Sequence, residues 1–104
     1  MVFEKLTNNS NEQINRDIEK LTKILHTYQI NENRICIHFH LKNSVVRNCV
    51  NLEEIEINNQ GVYLTGNDFV LNIERKIQKI IFSDYEESAN IVFDQGEIYL
   101  DFIS

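Results

Sequence analysis

Residues 52–71 read LEEIEINNQGVYLTGNDFVL, and the turns inside this stretch decide the fold. If Asn59-Gln60 closes a hairpin, Ile57 pairs with Val62 and Ile55 with Leu64, while Glu54 and Glu56 point the other way. Gly66-Asn67 as the next turn pairs Leu64 with Phe69 and Val62 with Leu71, using residues that tolerate positive φ. Three antiparallel strands then share one apolar face.

The same reading extends in both directions. Toward the C-terminus, Gln95-Gly96 as a turn pairs Phe93 with Ile98, Ile91 with Leu100 and Ala89 with Phe102, which predicts a final hairpin. Between these blocks, Ile73, Ile77 and Ile80 suit helical spacing while Ile80 and Phe82 suit a strand, so a helical turn running into a strand is expected. Toward the N-terminus, Arg34-Ile35-Cys36-Ile37-His38-Phe39-His40 alternates. Ile35, Ile37 and Phe39 belong to the core, and Cys36, His38 and His40 face away. An Asn43-Ser44 loop pairs Leu41 with Val46, Phe39 with Asn48, Ile37 with Val50 and Ile35 with Leu52. It also sets Cys49 opposite His38 and Arg47 opposite His40.

Before the strands, Ser10-Asn11-Glu12-Gln13 has the form of a capping box and predicts the start of a helix. Ile14, Ile18, Leu21, Leu25 and Tyr28 make its apolar stripe, with Ile24 beside it, and Asn31-Glu32-Asn33 ends the pattern. The expectation is a single α+β domain over residues 1–104. In it, one N-terminal helix packs on an antiparallel sheet of about six strands, curled toward a small open barrel.

The chain has 104 residues, 42% hydrophobic and 25% charged, which is enough for a core that does not depend on disulfides or metals. No apolar run approaches the length of a membrane-spanning helix, and MVFEKLTNNS lacks the basic and apolar regions of a secretory signal. A cytoplasmic location is expected, with Cys36 and Cys49 as reduced thiols.

The net charge is -6, unevenly spread: residues 1–52 hold 7 basic and 5 acidic side chains, residues 53–104 hold 3 and 11. No Lys or Arg follows Lys79. A zone of this sign repels phosphate, so binding to DNA or RNA is disfavoured, whereas a basic protein partner is accommodated.

Two constellations carry chemistry. Cys36, His38, His40 and Cys49 offer zinc-ligand types on one strand face, but a flat face does not converge them tetrahedrally and C-x-x-C pairs are absent, so no metal or cofactor is assigned. Neither a glycine-rich loop nor a nucleophile elbow accompanies them, so no enzymatic activity is assigned. The second is Ser83-Asp84-Tyr85-Glu86-Glu87-Ser88, three carboxylates around a tyrosine. Glu97, Tyr99 and Asp101 alternate on the outward face of the last strand. Asp84, Tyr85, Glu86, Glu87, Glu97, Tyr99 and Asp101 form the expected partner-binding surface, in which tyrosines anchor and carboxylates engage Lys or Arg.

In size, acidity, richness in Ile and Asn, and α+β pattern, the chain resembles the immunity proteins of bacterial toxin systems, particularly those of contact-dependent growth inhibition. The resemblance covers the whole chain as general character, without a shared motif. It implies a cytoplasmic antidote that neutralises a cognate toxin, often a basic nuclease domain, by binding it. The alternatives are a phage-encoded inhibitor such as an anti-CRISPR protein, a small zinc-dependent enzyme built on the Cys/His strand face, and an Sm-like oligomer-forming module.

Overall fold

The computed structural model describes residues 2–41 and 44–102, with side chains described at 12–40 and 46–102. The chain is α+β: helix α1 (Val2–Ile30) is followed by β1 (Ile35–Leu41), β2 (Ser44–Val50), β3 (Leu52–Asn58), β4 (Gly61–Gly66), β5 (Phe69–Ile73), β6 (Lys79–Phe82), β7 (Ser88–Phe93) and β8 (Gly96–Asp101). The strands form two antiparallel sheets, one of five in the order β2-β1-β8-β7-β6 and one of three in the order β3-β4-β5. The expected single sheet of about six strands is thus eight strands in two sheets, and no closed barrel forms among the described residues. A bulge opens the β3–β4 ladder of the smaller sheet. Leu52 pairs with Gly66 but Glu54 with Thr65, so Glu53 is the extra residue, and the Glu54 N–H donates to the Thr65 hydroxyl at 3.1 Å.

Helix α1 begins at Val2 and runs straight through the Ser10–Gln13 segment expected to start it. Asn and Ser are weak helix formers, yet neither Gly nor Pro interrupts residues 2–30, and each added residue of an existing helix gains a hydrogen bond without a new nucleation cost. The other end behaves as the sequence predicts. The Asn33 N–H reaches the Tyr28 carbonyl at 2.9 Å and the Glu32 N–H the Gln29 carbonyl at 3.1 Å, closing the helix with Glu32 at φ 56°.

The stripe of α1 enters the core as expected: Leu21 and Leu25 are fully buried, Ile18 nearly so, and Ile14, Ile24 and Tyr28 pack at its margin. They meet Ile35, Ile37, Ile80, Ile91, Ile98 and Leu100 from the large sheet and Leu52, Val62 and Leu64 from the small one. At roughly 1.5–3 kcal/mol for each large aliphatic side chain withdrawn from water, this shared core is the main stabilising term.

Three of the four expected hairpin registers shift. Ile57 pairs with Val62 and Ile55 with Leu64, as read from the sequence. In β4–β5 the turn is Asn67-Asp68, which pairs Leu64 with Leu71 and Val62 with Ile73. In β7–β8 it is Asp94-Gln95, which pairs Ile91 with Ile98 and Ala89 with Leu100. In β1–β2, Ser44 is already in the strand opposite Leu41, while Asn43 lies outside the described residues. Phe39 pairs with Val46, Ile37 with Asn48, Ile35 with Val50 and Cys36 with Cys49. Each shift is two residues, so every side chain keeps its face.

The helical turn expected near Ile77 is also absent. Residues 74–78 are irregular and Ile77 is fully buried, its N–H donating to the Asn59 carbonyl at 3.1 Å, while the Gln78 N–H reaches the Val92 carbonyl at 2.8 Å. Tertiary bonds replace the local ones a helix would supply.

Candidate protein-binding surface

The Asp84–Glu87 segment joins β6 to β7 as a pinned turn. The Ser83 hydroxyl accepts from the N–H groups of Glu87 at 2.9 Å and Ser88 at 3.0 Å, and the Ser83 carbonyl accepts from the Glu86 N–H at 2.9 Å. Glu86 takes a positive φ of 55°, and the Phe102 N–H donates to the Glu87 carbonyl at 2.9 Å, tying the turn to the end of β8. With the backbone so held, Tyr85 stands 85% exposed at the tip. Asp84 and Glu87 are exposed beside it.

The other expected residues lie on the outward face of the five-stranded sheet. Along β8, Ile98 and Leu100 point to the core while Glu97, Tyr99 and Asp101 alternate outward, half-buried by their neighbours. Register places Glu97 between His40 and Val92, Tyr99 between His38 and Asn90, and Asp101 between Cys36 and Ser88. The His38 and Tyr99 rings meet edge to face, with centroids 5.6 Å apart. Asn90 Nδ2 donates to Glu97 Oε2 at 3.1 Å, and Asn90 Oδ1 is buried without a partner in the protein. Arg47 on β2 and Lys79 and Ile81 on β6 are exposed at the two edges of the sheet.

The seven expected residues therefore occupy two adjoining settings. Asp101 sits next to the 84–87 turn, because its cross-strand neighbour is Ser88. Glu97 lies four residues further back, roughly 13 Å along the strand. The charge is also less uniform than the sequence implies. Lys20 of α1 pairs with Glu86 at 2.8 Å, and the histidine-bearing strand borders β8. His38, His40 and Asn90 belong to the same face as Tyr99 and Glu97. Sequence reasoning treats the histidine strand and the acidic strand as separate surfaces, because their adjacency is a pairing across some sixty residues that no local pattern announces.

Cys36 and Cys49 form a disulfide, which corrects the expectation of two reduced thiols. They are directly opposed across β1–β2, whereas His38 faces Arg47 rather than Cys49. Joined sulfurs are not thiolate ligands, and no group of three or more His, Cys, Asp or Glu that could hold a metal ion occurs among the described residues. No described helix is long and apolar enough to cross a membrane.

Comparison with protein families, curated proteins and solved structures returns no match for this chain.

Proposed function

We propose that this is a small acidic binding protein of the toxin-immunity kind, which neutralises a cognate, basic toxin domain by docking on it and carries out no catalysis itself. The observation that carries this reading is the exposed Tyr85 on a turn held by Ser83, flanked by Asp84 and Glu87. A tyrosine on a pre-ordered backbone offers a large amphipathic contact at little entropic cost, and the carboxylates around it complement lysine or arginine on the partner. Tyr99 and Asp101 extend the surface from the turn onto the sheet.

The absence of Lys and Arg after Lys79 gives this end of the chain an acidic field that accelerates encounter with a basic partner. A cytoplasmic site of action fits an antidote that meets its toxin inside the cell.

The test is capture of the partner from the native host, followed by association kinetics. Glu87→Lys is expected to slow binding more than it speeds dissociation, and Tyr85→Ala mainly to raise the off-rate. In a toxin-immunity pair both variants, still folded, lose protection of cells expressing the toxin. A captured nucleic-acid-guided nuclease in place of a toxin would move the reading to a phage-type inhibitor. Unchanged binding in both variants would remove this surface from the proposal.

A further inference from the structure

The geometry points to Cys36–Cys49 as a thiol–disulfide exchange site for a protein dithiol reductant, rather than a staple on which folding depends.

The first ground is redundancy. The bond joins residues already opposed in the β1–β2 ladder, which runs in unbroken register from Ile35↔Val50 to Leu41↔Ser44. The sequence separation is 13, and the hairpin closes that loop by itself. A cross-link stabilises chiefly by removing unfolded-chain freedom, and removes least where the loop is short. The second ground is position. Both cysteines lie on the outward face of the sheet, away from the core that α1 and the two sheets share. Opening the bond leaves that core unchanged.

The third ground is asymmetry of access. Cys36 is 6% exposed on β1, between β2 and β8, whereas Cys49 is only half-buried on β2, an edge strand whose one ladder neighbour among the described residues is β1. A reductant thiolate therefore reaches the Cys49 sulfur. Its attack forms a mixed disulfide to Cys49 and breaks the Cys36–Cys49 bond, releasing Cys36 as a thiolate that takes a proton. The reductant's second thiolate then attacks the mixed disulfide and releases Cys49, which is protonated in turn. The reductant leaves as its own internal disulfide, having supplied two electrons. What changes in the protein is β2, which afterwards is held by its ladder to β1 and by local bonds such as Arg34 to the Cys49 carbonyl at 3.0 Å.

The test uses the folded full chain and a thioredoxin-type dithiol in native buffer. Two thiols per chain should appear while the circular dichroism signal is retained. Amides of β2 should exchange about tenfold faster while those of β8 keep their protection. A reductant reduced to a single active cysteine should be trapped on Cys49. The Cys36→Ser, Cys49→Ser double variant should fold and show the β2 exchange of the reduced protein. Thiols that appear only with unfolding, trapping on Cys36, or a double variant that does not fold would each overturn the proposal and leave the bond a structural staple.

Discussion

Lys20 Nζ lies 2.8 Å from Glu86 Oε1 and 4.5 Å from the centre of the Phe82 ring, so one cation of the helix bridges the acidic turn and the edge strand β6. Both partners of the ion pair are nearly half exposed, which screens their attraction to roughly 1 kcal/mol or less. Lys20→Ala should therefore shift thermal stability little. Its larger effect is on the field: it uncovers the Glu86 carboxylate, and association with a basic partner should become faster and more salt-sensitive. Stopped-flow association at two ionic strengths measures this, and a slower on-rate in the variant would count against acidic steering.

Leu21 is fully buried where α1 meets the sheets. Leu21→Ala removes three carbons, the branch-point methine and both terminal methyl groups, and leaves a cavity that the surrounding strands close only in part. The expected loss is about 2–5 kcal/mol, read from denaturant midpoints. An unchanged midpoint would contradict the packing of the helix.

Glu32 closes the helix in the left-handed region at φ 56°, a position where a Cβ costs roughly 1–2 kcal/mol. Its side chain makes no hydrogen bond or ion pair among the described residues, while its carbonyl accepts from Asn51 Nδ2 at 2.9 Å. Glu32→Gly keeps that backbone contact and relieves the strain, offset in part by the greater freedom of an unfolded glycine. A net gain of about 0.5–1 kcal/mol is expected in thermal unfolding.

The apolar stripe of α1 and the inward and outward faces of the strands were legible because both are local periodicities. Register was not. A slip of two residues returns every side chain to its face, so matching apolar faces could not detect it. Assigning glycines to the turns caused two of the three slips: Gly66 and Gly96 are strand residues beside turns made by Asn67-Asp68 and Asp94-Gln95, whereas the first hairpin slipped because Ser44, assigned to its turn, is already in the strand. Asp68 takes the positive φ of 55° itself, and Gly66 is needed for close approach, since a Cβ there would lie 2.6 Å from the Asn51 carbonyl oxygen. The one register read correctly, around Asn59-Gln60, also places its turn just before a glycine. The slip in the first hairpin hid the candidate site's main covalent feature, because the true register alone sets Cys36 against Cys49. The Lys20–Glu86 pair was invisible for another reason: it joins residues 66 positions apart, and nothing local links them.

The histidine strand gives the last prediction. With Cys36 bonded to Cys49, the zinc-ligand types left on that face are His38, His40, Glu97 and Asp101; the His38 ring is engaged edge-on by Tyr99 and the Glu97 carboxylate accepts from Asn90. Spread over two strands of the sheet they do not converge as the four ligands of a structural zinc site do, and no group of three or more that could hold a metal ion occurs among the described residues. A fold whose core already includes Leu21, Leu25, Ile91 and Leu100 also does not call for metal-derived folding energy. Tag-free protein with the disulfide intact should therefore hold no stoichiometric zinc, and chelator should leave its melting temperature unchanged. One zinc per chain in elemental analysis, with a melting temperature that falls on chelation, would instead make His38 and His40 ligands. The sheet face would then be a metal centre rather than part of a docking surface.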